Sequence, residues 1–298
     1  MTIEDFRTRS AMIEDKHELF LSLLVSLGGY CTVQQAEELK LADNEKTTRA
    51  QLRKLERYGF LRRVAAYPLV YQVTKSTTRH LERDSGARRR HSLPTVQARL
   101  LAVDFYLSAR KWPGKFLLDH EHKIAAFVDN GCPAMVLPQH GGQPSLREEF
   151  LLWLANRRLG VAVVDQPHRA ALSQIVGLVQ RFAPTIPYLG EAALELLIVT
   201  GWERRYYVYK RLLQHPKVQA EWPGEFEFAV RAYCVPRPIQ LVTGLLCPAC
   251  QRPKIQPETS RDHRQKQPNP GRRTTHHRSA NPKRSTDPMI PIHCDLTG

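Results

Sequence analysis

Four cations recur along one stretch of this chain at helical spacing: Lys46, Arg49, Arg53 and Arg57. Steps of three and four residues put them on one face of a helix, with Thr47 standing among them. A duplex major groove admits one helix, and its phosphates reward cations on that helix's outer side. Taken alone, such a row is also what a solvated helix face presents. The surrounding charge decides between the two. Residues 43–91 hold 13 Lys/Arg against 5 Asp/Glu, whereas residues 1–42 hold 4 against 7. The positive charge starts at this helix and continues through Arg62, Arg63 and Lys75 to Arg88-Arg89-Arg90-His91. A solvated face has no need of that asymmetry, so the row reads as a DNA-contacting surface.

The elements around the row are those that would present it. Thr32 with Gln35 makes a capping box that opens a helix bearing Val33, Ala36 and Leu39 on one side. The break Leu41-Ala42-Asp43-Asn44 then caps a second helix, Glu45 to Tyr58, whose Leu52 and Leu55 form a core stripe. Gly59 ends it. Phe60–Val64 and Leu69–Val73 read as two short strands around Ala66-Tyr67-Pro68. A preceding amphipathic helix, Asp15 to Leu27, would pack on both, and Thr74 to Arg83 gives one more short helix. Helix, short turn, basic helix and hairpin is the layout of a winged helix-turn-helix, here a domain over 12–84. Residues 1–16 read as a polar lead-in, and 85–90 as a linker by composition.

Composition supports an acidic polymer as partner. The 298 residues carry a formal charge of +15, with a pI near 9.8. No apolar run reaches the 18 residues that a membrane span needs. The acidic start Met1–Asp5 has no apolar core behind it and is no secretory signal, so a cytoplasmic protein is expected. Six scattered cysteines fit free thiols in a reducing compartment. Cys247-Pro248-Ala249-Cys250 has the spacing of half a zinc ribbon. Its missing ligands would have to come from His263, His276, His277, His293 or Cys294, all in a segment that reads as unfolded, and the spacing from Cys250 to His293-Cys294 is too long for a compact zinc module. An incidental pair is the better reading.

From residue 92 the pattern changes. Thr95 to Ala109 is helical, with Val96, Leu100, Val103 and Leu107 on one face. Lys115–Asp119 and Ile124–Val128 look strand-like, and Cys132–Leu137 looks like a further strand. Periodicity leaves Leu146–Arg157 open between helix and strand. Leu159–Asp165 and Leu194–Thr200 are apolar on both faces, as buried strands are. Helices over 169–182 and 202–213 alternate with them, and Glu225–Tyr233 is a last strand. That alternation argues a three-layer α/β domain over 92–243, hence an α+β chain overall. Residues 251–298 are rich in proline, hold 10 Lys/Arg against 4 Asp/Glu and show no apolar period. They read as a disordered basic tail that holds a polyanion without reading its sequence.

Catalytic motifs are few. There is no phosphate loop, no dinucleotide fingerprint and no nucleophile elbow. Asp119-His120-Glu121-His122 comes nearest in composition to a metal-holding cluster, and a polar hairpin turn is the plainer reading of it.

In the order of its elements, residues 17–235 resemble the replication-relaxation family and the MobC-type mobilisation relaxases. The residues that carry the likeness are the helix Ala98-Arg99-Leu100-Leu101-Ala102-Val103, the strand Arg158–Asp165 with a basic amphipathic helix after it, and the strand Glu195–Thr200. The resemblance implies a restriction-nuclease-like α/β core in which two acids and a nearby Lys hold magnesium or manganese. Asp165 matches the second acid, and Glu148 or Glu149 stands near the place of the first. The Lys two residues after Asp165 is absent, because Gln166-Pro167-His168 follows. Asp165 is equally well placed to cap the helix after it.

Two readings result. The favoured one is a sequence-specific, non-catalytic duplex-DNA binder of a plasmid or other mobile element, accessory to replication or mobilisation, or a regulator. It would contact DNA through Lys46, Thr47, Arg49, Arg53, Arg57, Arg62, Arg63 and Lys75. The alternative is a metal-dependent nickase using Asp165 and Glu149. Either way the partners to look for are duplex DNA, other relaxosome or replication proteins and a second copy of the chain.

Overall fold

A computed structural model describes residues 3–64, 68–82, 91–146, 150–155, 157–166, 169–190, 192–219, 228–236 and 238–239. The chain is a mixed α/β protein. The tail 251–298, the Cys247–Cys250 pair, Arg88–Arg90, Glu148, Glu149 and His168 lie outside the described residues.

The chain opens with helices α1 (Ile3–Ser10) and α2 (Asp15–Ser26), so the polar lead-in is partly helical. Strand β1 (Tyr30–Thr32) and helix α3 (Val33–Glu38) follow. The capping box at the start of α3 forms: Thr32 Oγ1 accepts from Gln35 N–H at 3.2 Å, and Gln35 Oε1 accepts from Thr32 N–H at 3.1 Å. Asn44 caps α4 (Glu45–Arg57), its side chain accepting from Thr47 N–H at 2.9 Å. Gly59 leaves that helix at φ +80°, a conformation that suits glycine at a helix end. Strands β2 (Leu61–Val64) and β3 (Val70–Val73) lead to α5 (Lys75–Glu82). β1 pairs antiparallel with β3, giving a small sheet in the order β1-β3-β2.

Helix α6 (Leu93–Ala109), capped by Ser92, begins the second half. Then come β4 (Lys115–Leu117), α7 (His120–Asp129), the small hairpin β5 (Gln139–His140) and β6 (Gln143–Pro144), and strands β7 (Phe150–Ala155) and β8 (Arg158–Val164). The chain goes on through α8 (Ala171–Phe182), β9 (Ala193–Thr200), α9 (Glu203–Leu213), α10 (Pro216–Gln219) and β10 (Phe228–Cys234). The five-stranded sheet runs β10-β9-β8-β7-β4. β8, β9 and β10 are parallel, while β7 and β4 turn back antiparallel beside β8. Alternate side chains of β8 and β9 serve opposite layers. Leu159, Val161, Leu194, Leu196 and Ile198 meet Ile175, Leu178 and Phe182 of α8 and Tyr209 of α9. Ala162, Leu197 and Val199 share the other core with α6.

Two sequence expectations are corrected here. Ile124–Val128 lies in helix α7, not a strand, and Cys132–Leu137 contains a single 3-10 turn. Asp119 explains the first: its Oδ1 accepts from Glu121 and His122 N–H, starting a helix where an apolar run had suggested a strand. Described residues of the two segments expected as domains, 12–84 and 92–243, share one apolar cluster. The described residues all fall within one compact unit. One apolar cluster joins Leu24, Leu27, Leu52 and Leu55 to Leu101, Phe105, Trp153 and Val199. The cause is α6, which buries Leu101, Ala102 and Phe105 as well as Val96, Leu100, Val103 and Leu107. A helix that buries apolar side chains on two faces must be covered on both.

Candidate nucleic-acid interface

Helix α4 turns Thr48, Leu52 and Leu55 inward and leaves Lys46, Thr47, Arg49, Arg53 and Arg57 exposed. At 3.6 residues per turn the four cations fall within an arc of about 80°, along roughly 16 Å of helix. Part-buried hydrogen bonds fix the helix in place. His17 of α2 is fully buried; Glu14 N–H donates to its Nδ1 at 3.1 Å, so Nε2 carries the hydrogen given to Gln51 Oε1 of α4 at 2.9 Å. Arg9 Nη1 of α1 donates to Tyr58 O at 2.8 Å, satisfying a carbonyl that the end of α4 leaves open.

The remaining predicted contacts divide. Arg49 reaches back to Glu45 on the same helix, an exposed pair that costs little to exchange for phosphate. Arg63 on β2 pairs with Glu56 of α4 at 2.7 Å, and that carboxylate raises its pKa. Arg62 donates through Nε to Gln72 Oε1 on β3 at 2.9 Å. Lys75 is half-buried at the start of α5. The structure therefore brings Lys46, Thr47, Arg49, Arg53 and Arg57 together, and gives Arg62 and Arg63 partners within the hairpin and α4.

Asp165 stands at the C-terminal end of β8, as the sequence suggested, but it is fully buried and saturated. Arg205 grips it with both arms, Nε to Oδ2 at 2.9 Å and Nη2 to Oδ1 at 2.6 Å. Tyr209 Oη donates to Oδ1 at 2.6 Å, Gln174 Nε2 to Oδ1 at 2.8 Å and Thr200 Oγ1 to Oδ2 at 3.2 Å. Burial, then the hydrogen bond to Asp165, pushes the Tyr209 phenol up, and the same carboxylate raises Arg205. A divalent cation does not fit Asp165, because it would have to displace a bidentate guanidinium and sit beside that positive charge. Nor does Asp165 cap α8, which starts at Ala171 with no side-chain cap. The cluster instead ties β8, α8, β9 and α9 together. Sequence reading missed Arg205 and Tyr209, although their spacing of four residues puts both on one face of α9.

Asp119-His120-Glu121-His122 opens α7, so its histidines do not share a face. His122 is exposed, and His120 Nδ1 is buried without a partner among the described residues. Among those residues no group of three or more His, Cys, Asp or Glu is arranged to hold a metal ion. Glu149 lies outside them.

A cleft of about 550 Å³ opens beyond the end of β8, between α6 and α8. Arg99, Arg169 and Arg181 line it, together with Ser92, Thr95, Gln166 and Ser173. Leu27, Ala102, Val163 and Leu178 are among its apolar lining residues. Among its described lining residues there is no acid.

Comparison of the chain with protein-family models, with curated proteins and with solved structures gave no match. Among the described residues no helix is long and apolar enough to cross a membrane.

Proposed function

We propose that this chain is a sequence-specific duplex-DNA-binding protein that inserts α4 into the major groove. One observation carries the reading: Lys46, Thr47, Arg49, Arg53 and Arg57 share the exposed face of a helix held from behind by part-buried hydrogen bonds to α1 and α2. The order helix, strand, helix, basic helix and hairpin, with β1 completing a three-stranded sheet, supports a winged helix-turn-helix. The β2–β3 hairpin would then lie against a neighbouring groove or backbone. A role in a plasmid or mobile element, in replication, mobilisation or regulation, belongs to the same proposal and rests on the resemblance of residues 17–235.

In the second half, an antiparallel hairpin running into a parallel β-α-β unit supports the nuclease-like reading of the architecture. The saturated Asp165 favours a binding over a cleaving role for it.

The test is selection of bound duplexes from a random pool, followed by titration of the selected site. Arg49→Ala with Arg53→Ala should weaken that site by about 1–3 kcal/mol for each base-reading hydrogen-bond pair removed, with nonspecific binding less affected. Unchanged affinity and site preference in the double variant would sink the assignment of α4.

A further inference from the structure

We infer that the cleft between α6 and α8 is a binding site for a nucleotide phosphate. Nothing in the duplex-reading proposal requires it, and α4 takes no part in it. Three arginines, Arg99, Arg169 and Arg181, line one cavity whose described lining contains no carboxylate. Guanidinium forks match phosphate oxygens two at a time, and three of them exceed what a single carboxylate would use. Its volume of about 550 Å³ is in the range of small-ligand sites. Leu27, Ala102, Val163 and Leu178 line the same cavity and offer apolar surface to the flat face of a base.

The walls are fixed from behind. Gln174 lines the cleft while its amide is committed to Asp165, Tyr209 and the backbone of Gln166. Arg205 Nη2 donates to Arg169 O at 3.1 Å, holding the residue that places one of the three cations. Arg99 Nη1 donates to Gly28 O at 2.6 Å and its guanidinium lies 5.8 Å from the centre of the Tyr30 ring, contacts that hold that side chain in place. The Asp165 cluster thus has a use: it is the frame of a preformed site.

The phosphate has two sources, a free nucleotide or a nucleotide of a single DNA strand. Titration calorimetry of the full chain with adenosine triphosphate, guanosine monophosphate, adenosine and a five-nucleotide single strand separates them. We expect saturable one-to-one binding of a phosphorylated probe and none of adenosine. Binding should fall about tenfold or more in Arg169→Glu/Arg181→Glu, two exposed positions, with an unchanged melting transition as the fold control. A triphosphate that binds where the pentamer does not identifies a free ligand; the reverse identifies a strand. Arg49→Ala/Arg53→Ala should bind these probes as the parent does, so the two assignments fail separately. Absence of saturable binding to every phosphorylated probe overturns the inference, as does binding indifferent to the double charge reversal.

Discussion

Gln35 of α3 donates through Nε2 to Asp104 Oδ1 of α6 at 2.5 Å, joining the helix that precedes α4 to the helix that backs the sheet. The same amide donates to Leu100 O at 2.9 Å, and the other Asp104 oxygen accepts from Ile239 N–H at 2.9 Å. One half-buried carboxylate therefore holds three segments distant in sequence.

That carboxylate should make stability depend on pH. Burial raises Asp104 from 3.8 to about 6, against the two hydrogen bonds that lower it. The folded chain then binds this proton more tightly than the unfolded chain does. The contribution is fully present below pH 3.8 and is lost as pH rises through about 6. Urea midpoints corrected for the background of Asp104→Asn should rise on acidification across that window. A parent and variant that respond identically would remove Asp104 as the cause.

Breaking the Asp165 cluster should cost stability before anything else. Asp165→Ala leaves the Arg205 guanidinium without its buried partner, a loss of roughly 3–5 kcal/mol. Pairing Asp165→Leu with Arg205→Met removes both charges and should recover part of that loss. Denaturant unfolding of the single and double variants measures this. A single variant as stable as the parent would mean that the cluster holds nothing together.

Gly160 lies opposite Trp153 across the β8–β7 pair, and a Cβ there would fall 2.0 Å from the indole ring. Gly160→Ala must therefore push Trp153 out of its packed position between the strands, at about 1–3 kcal/mol. A lower melting temperature with an altered tryptophan emission would be the signature. Full stability in Gly160→Ala would show that the ring can shift freely.

Excision should fail where the sequence invites it. A fragment of residues 17–84 lacks α6, and with it the wall formed by Leu101 and Phe105 of the shared core. We expect it to bind hydrophobic dyes and to show poorly dispersed amide resonances, while the intact chain does neither. A well-dispersed fragment that binds the selected duplex would show that the N-terminal half is self-sufficient.

Local signals carried much of this fold. Thr32 with Gln35 and Asn44 before Glu45 marked the starts of α3 and α4, because caps are decided by residues three apart. β8 and β9 were legible as runs apolar on both faces. What escaped was set by distant partners. β1 is three residues long and is a strand only because Tyr30, Cys31 and Thr32 meet Gln72, Tyr71 and Val70. α6 showed one apolar stripe, and its second face became apparent only against Trp153 and Val199. Asp165 was found but not its role, since Arg205 is 40 residues away. No local spacing announces that distance. The cleft arginines 99, 169 and 181 sit on separate elements and form no motif at all.

The position of α6 also orders events during synthesis. Its contacts reach forward 125 residues from Ser108 to Tyr233 and 135 from Asp104 to Ile239. A nascent chain that has emerged only through Ala109 already has the surfaces for one side of that helix, while the strands for the other are still unmade. Until β7 to β10 have left the ribosome, that second side has no sheet to pack against, and an apolar face so exposed is what chaperones hold and what aggregates in their absence.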